Sequence, residues 1–129
     1  MATIPDAHRD LIEKPHIASL STVDPDGMPQ VTALWYLAEG DTIATSLMTS
    51  RQKYKNLRAH PKATLFIIDP ANPYRTLEVR AKASFEDDHD LGLFERIVRH
   101  YGMDPETFPA PRDNRVLLRL TPTHVVAQG

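Results

Sequence analysis

Two tight turns constrain this chain more than any other feature. Asp24-Pro25-Asp26-Gly27 and Ala38-Glu39-Gly40-Asp41 each separate stretches that read as strands. In the first, proline presets φ and glycine accepts a positive φ, so the backbone is primed to reverse. The flanking stretches alternate as strands do. His16–Val23 (HIASLSTV) sets Ile17, Ser19, Ser21 and Val23 against Ala18, Leu20 and Thr22, and Gln30–Leu37 (QVTALWYL) follows the turn. These two are expected to form a hairpin, and Thr42–Met48, beyond the second turn, to add the third strand of a meander.

The remainder alternates between helix and strand signals. Thr3–Lys14 reads as a short helix capped by Thr3, with Pro5 and Asp6 in its first turn, Ile4, Leu11 and Ile12 facing the core, and Pro15 as its stop. Ser50–His60 reads as a second helix, closed by Pro61. Ala63–Ile68 (ATLFII) is apolar throughout and is expected to be a strand buried on both faces. After a loop at Asp69–Pro73, Leu77–Phe85 alternates, with Leu77, Val79, Ala81, Ala83 and Phe85 on one side. Asp88–Tyr101 carries Leu91, Phe94, Val98 and Tyr101 at helical spacing, with Asp87 or Asp88 as its cap and Gly102 at its end. A proline-rich loop, Met103–Asn114, leads to a last strand in Arg115–Leu120 and His124–Ala127, interrupted at Thr121-Pro122. The order is α-βββ-α-ββ-α-β. It implies one domain over residues 1–129, mainly β with flanking α: six antiparallel strands closed or nearly closed into a small barrel. A Rossmann fold would need strands alternating with helices and a glycine-rich first turn, and neither is present.

Composition removes several kinds of chemistry. With 129 residues, 41% hydrophobic and 25% charged, the chain suits one soluble core. A formal charge of -2 and a pI near 6.3 give no reason to expect nucleic acid or an anionic membrane as partner. There is no cysteine, so disulfides and thiolate chemistry are excluded. The segment MATIPDAHRDLIEK lacks the apolar run of a signal peptide, and no stretch is long enough to cross a bilayer, so the expected location is the cytoplasm. None of the six histidines pairs with another at i, i+4 on a helix, which leaves a helix-borne metal pair without support. No nucleophile elbow or Walker loop occurs. The acidic group Asp87, Asp88 and Asp90 has an ordinary explanation in helix capping.

One stretch stands apart. Thr45–Pro61 (TSLMTSRQKYKNLRAHP) ends a strand and enters a helix with Ser50, Arg51 and Lys53 at the start. Cations are disfavoured there, because a helix N-terminus is already partially positive. Free N–H groups, a hydroxyl and two cations together make a phosphate cradle. A solvated helix face with a serine N-cap accounts for the same residues. An anion site without an acid–base or nucleophilic constellation suits a protein whose chemistry belongs to a bound phosphorylated cofactor.

The element order, and three stretches within it, resemble the split β-barrel flavoproteins, the pyridoxamine 5′-phosphate oxidase-like superfamily. IASLSTVDPDGMPQ (residues 17–30) resembles the opening hairpin, with its D-G-x-P turn. Thr45–Pro61 resembles the phosphate-binding element, with K-x-x-N-L-x-x-x-P at Lys53, Asn56, Leu57 and Pro61. RVLLRLTPTHVVAQG (residues 115–129) resembles the closing strand. Arg51-Gln52-Lys53 followed by Asn56-Leu57-Arg58 is most similar to the deazaflavin-dependent oxidoreductases, which use coenzyme F420. The resemblance implies an FMN-binding split barrel type fold. It implies an oxidoreductase that passes hydride from reduced coenzyme F420 to an electrophilic small molecule, with FMN the alternative cofactor, and a non-catalytic cofactor- or haem-binding module the alternative role.

By the same resemblance Arg51 and Lys53 hold the phosphate, with Thr49, Ser50 and Asn56 beside them. The backbone of Gln30, Val31, Thr32, Ala33 and Leu34 runs beneath the ring, and Arg75, Thr76, Leu77 and Glu78 reach the cofactor from the other side or from a second subunit. A homodimer with sites at its interface is implied. Tyr36 is the candidate proton donor; Trp35 or Tyr36 flanks the ring or the substrate, or else both are core or interface aromatics, and the same two readings apply to Met48 and Phe108. The sequence shows no Arg-x-His motif after HVVAQG, which argues against oxidation of pyridoxamine phosphate.

Overall fold

The computed structural model describes residues 1–129. A 3-10 turn at Asp6–His8 precedes α1 (Asp10–Glu13), β1 (Ala18–Val23), β2 (Pro29–Leu34), β3 (Leu37–Glu39), β4 (Thr42–Met48), α2 (Gln52–Ala59), β5 (Lys62–Asp69), β6 (Asn72–Asp87), α3 (Gly92–His100) and β7 (Arg115–Gln128). The strands form one antiparallel sheet in the order β2-β1-β5-β6-β7-β4-β3. No helix is long and apolar enough to cross a membrane.

The β1–β2 hairpin forms as its turn predicts. Asp24 Oδ1 accepts from the amides of Asp26 and Met28, both at 2.9 Å, and Gly27 takes φ 85°. The meander, however, does not continue. The stretch expected as one strand through Leu37 breaks at Trp35-Tyr36, giving seven strands rather than six, and β4 pairs with β3 and β7 instead of with β2. Alternation fails where Tyr36 and Leu37 are buried in succession. The two crossing residues satisfy their backbone through side chains: the Tyr36 amide donates to Tyr101 Oη at 3.2 Å, and Thr45 Oγ1 donates to the Trp35 carbonyl at 2.6 Å. Because β2 and β3 are the two edges of the sheet, this short crossing curls the sheet into a split barrel.

The barrel encloses Leu20, Ile43, Leu65, Leu77, Val79 and Leu118, all essentially inaccessible to water. α1 closes one end with Leu11 and Ile12. It is shorter than the expected Thr3–Lys14, and Thr3 does not cap it. β5 corrects another expectation. It is buried on one face only, and Phe66 and Ile68 stand 36% and 49% exposed on the other. β7 is continuous through Pro122. A bulge opposite Arg80/Ala81 leaves Thr123 outside the register, and there Pro122, which has no N–H to give, accepts the Ala2 amide at 3.0 Å. α3 begins later than expected, with Leu91 at φ 61° and not Asp87 or Asp88 as its N-cap residue; Asp88, upstream of the cap, still accepts the amides of Leu93 and Phe94 at 3.0 and 3.1 Å.

Candidate functional site

The strand β4 delivers the chain to α2 at one end of the barrel. The helix starts one residue later than a Ser50 cap requires: Arg51 is the N-cap, in extended conformation, and no side chain caps the helix. The amides of Arg51, Tyr54 and Lys55 find local carbonyls, while those of Gln52 and Lys53 have no acceptor. Two free N–H groups therefore point out of the helix where Arg51 and Lys53 stand.

These groups border a cavity of about 480 Å³ lined by Gln30, Thr32, Ala33, Arg51, Lys53 and Arg115, with Ser46, Met48 and Gln52 completing it. The fold thus joins two stretches that the sequence shows apart, the β2 segment and the start of α2. Lys53 Nζ reaches Thr32 Oγ1 at 3.3 Å. Its pKa is lowered, first by burial and then by Arg51. Arg115 stands opposite Met48 in the β4–β7 ladder and donates to Ser46 Oγ at 3.2 Å and to the Pro111 carbonyl at 2.7 Å. Burial, then Arg112 and Arg51, lower its pKa too.

Arg51, Lys53 and Arg115 take part in none of the ion pairs of this chain, which engage Arg9, Arg75, Arg80, Arg96, Arg99 and Arg119. Arg51 disfavours the charged forms of both Lys53 and Arg115, and an anion bound among them would relieve that repulsion. Arg115 and Ser46 escaped the sequence reading, and Gln52 entered it only as part of the Arg51-Gln52-Lys53 pattern. Arg115 lies more than sixty residues from Arg51 in the chain, and only strand pairing brings it there.

Other expected residues lie elsewhere. Thr49 and Ser50 do not line the cavity; the Thr49 amide instead donates to the Asn114 carbonyl at 2.9 Å. Asn56 is 2% exposed and organises the floor. It donates to Thr22 Oγ1 at 3.0 Å and Gln30 Oε1 at 3.1 Å, and accepts from Gln52 at 2.8 Å, so it positions Gln30 and Gln52. Val31 points out of the barrel, 62% exposed, and Leu34 is buried. Leu77 is core. Arg75 is committed to Asp10, Asp69 and the Ala7 carbonyl, which pins the N-terminal turn. Thr76 and Glu78 share an outward face with Ile68 and Phe66 through the β5–β6 register.

Tyr36 is not placed to donate a proton. It is fully buried, and its hydroxyl donates to the Leu11 carbonyl at 2.6 Å. That carbonyl has no helical donor, because the residue four positions on is Pro15. Burial pushes the Tyr36 phenol far above its ordinary range. Trp35 stacks on Tyr101, 4.5 Å between centroids and 5° from parallel, with Phe108 at 5.4 Å on another side.

A solved structure described as an F420 reductase is 36% identical and covers 95% of this chain and 98% of its own, with a TM-score of 0.87. A conserved hypothetical protein of Mycobacterium tuberculosis, 21% identical, covers 98% of this chain and 85% of its own at TM-score 0.77. General Stress Protein 26 of Bacillus anthracis, 19% identical, covers 93% and 89% at TM-score 0.71. The latter two likenesses are of fold alone. No match was found among curated proteins. The family profile described as pyridoxamine 5′-phosphate oxidase matches residues 4–129, and the chain belongs to that family.

Proposed function

We propose that this protein is an oxidoreductase that binds coenzyme F420, with the cofactor phosphate in the cradle of Arg51, Lys53 and Arg115. The observation that carries the reading is the uncompensated cation cluster beside the β2 segment. Likeness to a protein described as an F420 reductase, at 36% identity, favours the deazaflavin over other phosphorylated cofactors. In its reduced form the cofactor supplies a hydride to an electrophilic carbon, and solvent supplies the proton that completes the reduction. The chain's own part is positional. The free amides of Gln52 and Lys53 would bind phosphate oxygens, Lys53 and Arg115 would neutralise them, and Gln30, Thr32 and Ala33 would line the ring's side of the site. FMN is the second reading, because its phosphate suits the same cradle.

We also propose a homodimer. Ile17, Val31, Phe66 and Ile68 are exposed, and the strand registers place Val31, Phe66 and Ile68 on the outer face of the sheet, where a second copy would cover them. Thr76 and Glu78 share that face, where a second copy would meet them. The test is a parallel titration with coenzyme F420 and FMN, followed by cofactor fluorescence. Saturable deazaflavin binding with weak FMN binding supports the reading, the reverse preference moves the protein to FMN, and binding of neither overturns both.

A further inference from the structure

Beside the cradle lies a second cavity, of about 110 Å³, between β4, α3 and the proline-rich loop. Its walls are mostly apolar and include Trp35, Phe94, Phe108 and Val98. Ser46 and Arg115 belong to both linings, so the two cavities adjoin at these residues. The slot is close in size to engineered apolar cavities of about 150 Å³, which stay dry and accept benzene. It has room for one flat ring and little more.

The slot is held open rather than left by loose packing. Arg112 donates to the carbonyls of Phe108, Ala110 and Pro105, which staples the loop in place and fixes Phe108 as a wall. Trp35 is immobilised by its stack on Tyr101. Arg115 lies over the Phe94 ring, 4.3 Å from its centroid, and turns toward Ser46. Asp88 is the carboxylate that acts most on Arg115, but both its oxygens are spent on helix amides. An aromatic slot ending in an unpaired, half-buried guanidinium calls for a ligand with an apolar ring and an anionic end.

We propose that this slot binds a small aryl or conjugated carboxylate, with its ring between Trp35, Phe94 and Phe108 and its carboxylate on Arg115. Arg115 also lines the cradle, so the slot's ligand and a cofactor phosphate would compete for it; the slot is proposed as a binding site of the empty protein and does not rest on the cofactor reading above. Trp35 is the only tryptophan of the chain, so its fluorescence reports the slot directly.

The test is titration of the protein, without added cofactor, with benzoate, benzyl alcohol and acetate, in the wild type and in Arg115→Gln, Val98→Phe and the milder Val98→Leu. Far-UV circular dichroism and melting verify that each variant folds. The expected result is a saturable change with benzoate, about tenfold weaker binding of benzyl alcohol, and none of acetate. Arg115→Gln should weaken benzoate about tenfold and leave benzyl alcohol unchanged. Narrowing the slot at Val98 should weaken both. Equal affinity for benzoate and benzyl alcohol, or indifference to Arg115→Gln or to both Val98 variants, overturns the proposal. So does loss of benzoate binding in Arg51→Ala/Lys53→Ala, which would put the ligand in the cradle. Because no cofactor is present, these outcomes do not depend on whether coenzyme F420 binds.

Discussion

Replacing Tyr36 by phenylalanine separates a structural tyrosine from a catalytic one. Phenylalanine keeps the ring and its packing and removes only the hydroxyl, which donates to the Leu11 carbonyl at 2.6 Å. Pro15 cannot supply the missing helical donor, so that carbonyl would be left dry inside the barrel end. A net hydrogen bond is worth about 1 kcal/mol, and stranding its buried acceptor raises the cost toward about 2 kcal/mol. Unfolding entropy is about 2.1 cal/mol/K per residue. For 129 residues that is about 0.27 kcal/mol/K, so Tm should fall by about 4–7 °C. The assays are thermal melting and urea denaturation, with cofactor affinity measured in parallel. Affinity should be unchanged, and the urea midpoint should drop without a change of slope. A Tm within about 1 °C of wild type, together with lost turnover, would refute the reasoning and return Tyr36 to the active site.

Four further outcomes are expected. Lys53→Met should weaken phosphate-bearing cofactors about ten- to hundredfold, read by fluorescence titration, without loss of stability in the empty protein. Lys53 carries a pKa lowered in the fold, so its charged form opposes folding at neutral pH and the penalty fades as pH rises toward the lysine range; cofactor affinity should therefore fall on the alkaline side earlier than an ordinary lysine would dictate. At the acid end, Asp10 is held below the usual carboxylate range by Arg75, and Asp69 by the Ala71 amide and then by Arg75. Their contribution is complete above the ordinary aspartate range and is lost as pH falls through the lowered values, so Arg75→Gln should flatten the acid limb of a pH–stability curve. Phe66→Ser with Ile68→Ser should shift sedimentation from dimer to monomer, and a wild type that sediments as a monomer would overturn the pairing proposed for that face.

Much of this molecule is determined by local chemistry that the sequence carries openly. Asp24-Pro25-Asp26-Gly27 makes its turn from its own side chain and a glycine at φ 85°, and Asp88 accepts an amide at the start of the helix that follows it. Arg51 and Lys53 stand at a helix start, where the dipole disfavours cations, and that local conflict is what singles the stretch out in the sequence. What the tertiary structure alone decided depends on contacts far apart in the chain. The alternation through Trp35-Tyr36 reads as one strand, and only the backbone's side-chain partners, Thr45 and Tyr101, show that the chain crosses from one edge of the sheet to the other. The apolar run in β5 reads as doubly buried, yet which face meets the core follows from register with β1 and β6. Arg115 joins the cradle through its ladder with β4, and Arg75 leaves it for Asp10 and Asp69. Turns and caps are satisfied within a few residues, so sequence suffices for them. An ion pair, a pocket wall or a sheet edge is a relation between distant segments, and it exists only once the barrel has closed.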